Sequence, residues 1–202
     1  MATATARTPE NPRPRGAARR EALLEAVLKI VAEVGPDAVT HRRVAEVAQL
    51  PLASTTYWFD SKEHLLTAAL ELAAERDTAR LLDSAEEAIT GGSDPIDAVI
   101  ASIVVCDDPG YAGRGSLIGT FALLLEAARR PALQEIAQRW TEVYLQTLSR
   151  LLESAGSTRP RDDAELLLGA ADGLLIEQLA TGADEDLRPR LHRLAAVLLA
   201  SA

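Results

Sequence analysis

Aromatic side chains make up only 3% of the 202 residues, and there is a single cysteine, Cys106. With so few rings, any core must be built from Leu, Ala, Val and Ile. The abundance of Leu and Ala favours helices over strands. One cysteine excludes an intramolecular disulfide and fits a reducing compartment. No apolar run approaches the ~20 residues a membrane helix needs. The first residues carry Pro and Arg rather than an apolar segment, so no signal peptide is expected and the expected location is cytoplasmic. Histidines are scarce and scattered: His41, His64 and His192 form no pair at metal-ligand spacing. There is no Gly-x-Ser-x-Gly elbow and no Cys-x-x-Cys. No catalytic residue, cofactor or metal site is therefore assigned, and the expectation is a protein that is not an enzyme.

What the chain does have is charge, unevenly placed. The formal net charge is −9. Residues 1–62 carry nine Lys+Arg against seven Asp+Glu, a net of +2, and residues 63–202 carry twelve against twenty-three, a net of −11. A basic end on an acidic body suits a polyanion at one end only.

That basic end holds the most informative stretch. Residues 40–66 read THRRVAEVAQLPLASTTYWFDSKEHLL. Thr40 can cap a short helix with an apolar face of Val44, Ala45, Val47 and Ala48. Pro51 disfavours the helical conformation at Leu50 and breaks the pattern. It is tolerated in the first turn of a second helix, expected to run to about Phe59. Ser61 can cap a third helix from Lys62. Two short helices and a tight turn make a helix-turn-helix, whose first helix crosses phosphates and whose second enters the major groove. Thr40, His41, Arg42 and Arg43 stand at the first helix's N-terminus, where the dipole favours phosphate. The second helix opens with small residues and continues to Tyr57 and Trp58.

The ordered set Thr40, Arg42, Val44-Ala45-Glu46, Ala48, Ser54, Tyr57, Phe59, Ser61-Lys62-Glu63 and Leu65 resembles the N-terminal domain of TetR-family transcriptional regulators. The match covers about residues 17–70. The resemblance implies that Thr40, His41, Arg42, Leu52, Ala53, Ser54, Thr56, Tyr57, Trp58 and Lys62 touch DNA. The chain departs from the family pattern at four places. Gln49 replaces the usual turn glycine and would be strained in a left-handed turn. Pro51 replaces a capping serine, Thr55-Thr56 a Leu-Tyr pair, and Trp58 a histidine.

Around this motif, residues 1–15 are expected to be a disordered tail, residues 16–62 the helix-turn-helix domain, and residues 63–202 a helical ligand-binding and dimerisation domain. The fold class expected is all-α. Leu24, Val27, Leu28, Val31 and Val34 predict a bracing helix from Ala17 that Gly35-Pro36 stops. A long helix from Ser61 ends at Gly91-Gly92. Arg76, Asp77 and Arg80 make its middle polar, predicting a bend or an exposed segment. Asp94 caps the next helix, with Pro95 in its first turn. Residues 110–115 are glycine-rich but follow no strand, which favours a flexible loop over a phosphate cradle. Further helices are expected at 116–130, 131–154, 162–181 and 186–200. The helix 162–181 is apolar on most faces, so it must be buried on two sides. Packing of the last two helices onto the body and onto a second copy is therefore expected, and the resemblance implies the same four-helix homodimer interface.

By family analogy an unknown small-molecule effector would bind between helices of the C-terminal part. Tyr111, Arg114, Phe121, Trp140, Tyr144 and Asp172 are the candidates for lining its pocket, each of them also explicable by ordinary packing. Asp172 and Glu177, in an apolar helix, admit a pocket role, a dimer contact or a polar edge. The resemblance implies a repressor of a pseudo-palindromic double-stranded DNA operator. The alternatives are a small-molecule-binding protein or enzyme with a vestigial helix-turn-helix, and a scaffold acting through protein contacts.

Overall fold

The computed structural model describes residues 13–104 and 113–200. Within them the chain forms α1 (Arg13–Val34), a 3-10 turn (Pro36–Ala38), α2 (His41–Val47), α3 (Leu52–Trp58), α4 (Lys62–Thr90), α5 (Pro95–Ile103), α6 (Gly113–Ala127), α7 (Pro131–Ser154), α8 (Pro160–Thr181) and α9 (Arg188–Ala200). No strand occurs among the described residues, so the architecture is all-α.

The boundaries follow local chemistry. Thr40 Oγ1 accepts from Arg43 N at 3.2 Å and starts α2. Ser61 Oγ accepts from His64 N at 3.1 Å and starts α4. Asp94 Oδ1 accepts from Ile96 N at 2.8 Å, ahead of Pro95 in the first turn of α5. Each cap satisfies an amide that the helix itself leaves unpaired. Gly35 and Gly182, at the ends of α1 and α8, take the left-handed conformations that a side chain resists.

Four expectations need correction. Helix α1 begins at Arg13 rather than Ala17, and of the expected tail only residues 1–12 lie outside the described residues. Pro51 stands at the N-cap of α3 rather than in its first turn, so its missing N–H costs no hydrogen bond. Gly113 and Gly115 belong to the first turns of α6, not to a loop. The polar middle of α4 does not interrupt the helix, which is continuous for 29 residues, and only part of it is open: Arg76 is exposed, whereas Asp77 is only 4% exposed.

Two apolar clusters hold the helices together. The first joins α1, α2 and the start of α4 to α6 and α7, through Leu24, Val27, Phe59, Leu66, Leu123 and Ile136. The core behind the helix-turn-helix thus runs on into α6 and α7 instead of closing at residue 62. The second cluster joins α5, α7, α8 and α9 through Val99, Leu148, Leu167 and Leu191. Arg76 on α4 adds polar ties to α1, reaching Glu21 at 2.6 Å and Glu25 at 2.8 Å. The two carboxylates raise the Arg76 pKa above its ordinary value, the hydrogen bond that Arg76 donates to Glu25 contributing most.

Candidate nucleic-acid interface and ligand cavity

Helix α2 ends in a turn that normally takes glycine. Gln49 N donates to Glu46 O and Leu50 N to Ala45 O, the paired bonds of a Schellman motif. The residue between must be left-handed, and Gln49 has φ +54°, the single non-glycine with positive φ among the described residues. The turn geometry is therefore kept at the cost of strain in a residue with a Cβ. This turn fixes the angle at which α3 leaves α2.

Helix α3 is anchored from below. Thr55 is fully buried and its hydroxyl donates to Leu52 O at 2.8 Å, so a polar residue sits in the core without an unmet donor. Phe59, also buried, closes the helix, with Arg20 of α1 lying 5.8 Å over its ring. That contact gives Arg20 a packing role. Trp58 is partly buried against the core and meets Tyr57 edge-on at 5.0 Å between ring centres.

The outer side of α3 is open. Tyr57 is 78% and Leu52 51% exposed, and Ala53 and Thr56 are exposed beside them, with Ser54 half-buried. On α2, Thr40 and Arg42 are exposed and His41 is half-buried. Arg42 Nε pairs with Glu46 at 2.9 Å, an exposed contact of the kind that water and salt weaken. Lys62 reaches back to the 3-10 turn, donating to Asp37 O at 3.2 Å. All ten residues singled out for DNA contact thus fall on α2 or its cap, on α3, or at the start of α4. Trp58 lies deepest in the core, and Lys62 is engaged within the protein.

The second site is a half-open cavity of about 100 Å³ lined by residues of α4, α5, α6, α7 and α8. Phe121, Trp140, Tyr144 and Asp172, four of the six expected lining residues, surround it. Tyr111 and the side chain of Arg114 lie outside the described residues. Sequence reading missed Asp77, Thr120 and Leu168 as further lining residues.

Asp77 is the cavity's organising group. Its carboxylate accepts from Arg80 at 2.9 Å, from Trp140 Nε1 at 3.1 Å and from the Tyr144 hydroxyl. Arg80 also donates to the Tyr144 hydroxyl at 3.0 Å. A buried carboxylate with this many donors is satisfied, and it locks α4 to α7. Asp172, across the cavity on α8, sits differently. Burial raises its carboxyl from 3.8 to about 6, and the negative charge of Asp77 adds to the rise.

The residues 93–201 match the family model described as tetracyclin repressor-like, C-terminal domain. The regulator BetI of Rhizobium meliloti (strain 1021), described as an HTH-type transcriptional regulator, is 32% identical over 165 residues, covering 79% of this chain and 77% of BetI. This chain belongs to the TetR family of transcriptional regulators. Solved structures agree with that placement of the regulator. A transcriptional regulator from Rhodococcus sp. Rha1 superposes with a TM-score of 0.78 at 26% identity, over 90% of this chain and 96% of that one. The multidrug binding protein EbrR, solved in complex with ethidium, superposes with a TM-score of 0.62 at 31% identity, over 87% of this chain and 97% of EbrR. No helix among the regulator's described residues is long and apolar enough to cross a membrane.

Proposed function

We propose that this TetR-family protein is a cytoplasmic, homodimeric repressor that reads a pseudo-palindromic operator and is released from it by a small molecule. The observation that carries the DNA-reading part is the open side of α3. A large aromatic and a leucine are held out in solvent on a helix whose inner side, Thr55 and Phe59, is fully buried. That combination is a rigid reader with a contact surface left unused by the fold. Tyr57 and Lys62 are assigned to phosphates and Leu52, Ala53, Ser54 and Thr56 to base edges or close groove contact. Thr40, His41 and Arg42 are assigned to the flanking backbone, with Trp58 setting the packing beneath.

The effector is assigned to the cavity bounded by Phe121, Trp140, Tyr144 and Asp172. A ligand-bound relative of the same fold, EbrR with ethidium, supports a small-molecule site in such a protein. Dimerisation is assigned to α8 and α9. On α8, Leu166 is 56% and Ile176 47% exposed, and they share a face with Gly169 and Gly173, which have open space beside them. Val197 of α9 is exposed as well. Such an apolar face with small residues at its centre suits close approach of a second copy.

The test is selection of duplexes from a random pool by the full chain, followed by binding measured against salt. The expected outcome is an inverted repeat with half-sites ~34–36 Å apart or a multiple of that spacing. Replacing Lys62 by Ala should weaken binding on all sequences and reduce the salt slope by about one. Failure to capture any duplex at low salt would overturn the reading.

A further inference from the structure

The cavity contains two carboxylates with different surroundings. The charge of Asp77 is met within the protein by Arg80, with Trp140 and Tyr144 adding hydrogen bonds. No hydrogen bond or ion pair engages Asp172 among the described residues, and none of the described lining residues is cationic. Its neighbours around the cavity are instead apolar and aromatic: Leu168 and Leu175 on its own helix, Phe121 on α6, and Trp140 and Tyr144 on α7.

An unpaired carboxylate beside apolar surface is costly unless something compensates it. A neutral guest filling the cavity would displace water from Asp172 and return at most a hydrogen bond, leaving the charge itself unmatched. An anion would meet two like charges. A positively charged guest would supply the missing partner, and aromatic rings add their own attraction for a cation. We propose that the effector of this regulator is a small organic cation whose positive centre pairs with Asp172 and rests among Phe121, Trp140 and Tyr144. This rests on the assignment of the cavity as the effector site.

The volume narrows the class. A dry apolar cavity of ~150 Å³ accepts benzene, and this one offers about 100 Å³. The part of the ligand that enters is then a compact ammonium group of roughly five non-hydrogen atoms. Tetramethylammonium has that size, and tert-butanol is a neutral molecule of the same shape and atom count.

The experiment titrates the full-length protein calorimetrically at pH 7.5 with each of these two probes. The wild type is expected to bind tetramethylammonium roughly tenfold or more tightly than tert-butanol. Asp172→Asn should abolish that preference, while Asp172→Glu should retain most of it. The Asn variant is nearly isosteric, and its thermal melt checks that it is folded. Equal or tighter binding of tert-butanol by the wild type would overturn the charge assignment while leaving the cavity as an effector site. Binding of neither probe would overturn both. Undiminished binding of the cation by a folded Asp172→Asn protein would place the cation elsewhere and equally refute the proposal.

Discussion

Replacing Asp172 by Asn should stabilise the ligand-free protein, by an amount that depends on pH in a defined way. Burial holds this carboxyl at about 6 in the fold against 3.8 for a free aspartate. At about 1.4 kcal/mol for each tenfold in acidity, the ionised side chain costs the native state about 3 kcal/mol. Because Asp172 is only half-buried, water screens part of this, leaving about 2 kcal/mol. The sign follows from proton binding. Between pH 3.8 and about 6 the folded state holds a proton that the unfolded state has lost, so stability falls as pH rises through that window. The penalty is complete above it and absent well below it. Asn carries no such penalty at any pH. For a chain of this length about 2 kcal/mol corresponds to a melting point higher by about 4–8 °C at pH 7.5. The gap should shrink to about half by pH 5. Among the described residues the charged and titratable groups that face Asp172 are Asp77, held by Arg80, and the Tyr144 hydroxyl; all are common to both proteins and cancel in the difference. The assay is thermal unfolding of both proteins at fixed concentration from pH 4.5 to 8, since the melting point of any protein that self-associates moves with concentration. A gap that does not change with pH, or no gap at pH 7.5, would refute the reasoning.

Three other outcomes are expected. Gln49→Gly removes a Cβ from a left-handed position and should stabilise the protein by up to about 1 kcal/mol, read by denaturant titration; destabilisation would mean that the Gln side chain compensates the strain. Tyr57→Ala, at a residue so exposed, should leave the stability within about 0.5 kcal/mol of wild type yet weaken DNA binding on every sequence tested; unchanged binding would remove Tyr57 from the interface. Leu166→Asp should convert dimer to monomer in sedimentation without loss of helical circular dichroism, and a persisting dimer would move the interface away from α8.

Much of this was readable from residue order because the relevant physics is local. Thr40, Ser61 and Asp94 announce helix starts through hydroxyls and carboxylates placed to accept the next amides, and Gly182 announces an end. The start of α6 was not readable in this way. Gly113 and Gly115 disfavour a helix locally, and the packing of α6 on α1 and α7 overrides them. Asp77 was hidden for a related reason. Flanked by Arg76 and Arg80, it looks like part of a solvated stripe, and only the fold shows that Trp140 and Tyr144, more than sixty positions away, turn it inward. The four described pocket candidates were picked as rings and a charge in apolar helices, a pattern that finds cavity walls but not the acid that organises them. The exposure of Tyr57 was legible because it sits two positions from each of the buried residues Thr55 and Phe59, on the opposite side of the helix.

Helix α4 has no break between Lys62 and Asp77. Fifteen steps of 1.5 Å make a stiff rod of roughly 22 Å, so tilting it by about 5° about Asp77 swings its first turn by about 2 Å. Arg76 fastens α1 to that rod, while Gly119 lets α6 press so near α1 that an added Cβ would lie 3.3 Å from Ala32. The three-helix head is thus gripped twice, by α4 and by α6, and both of those grips also form walls of the same small chamber. A guest that swells or tightens that chamber is therefore expected to turn the head.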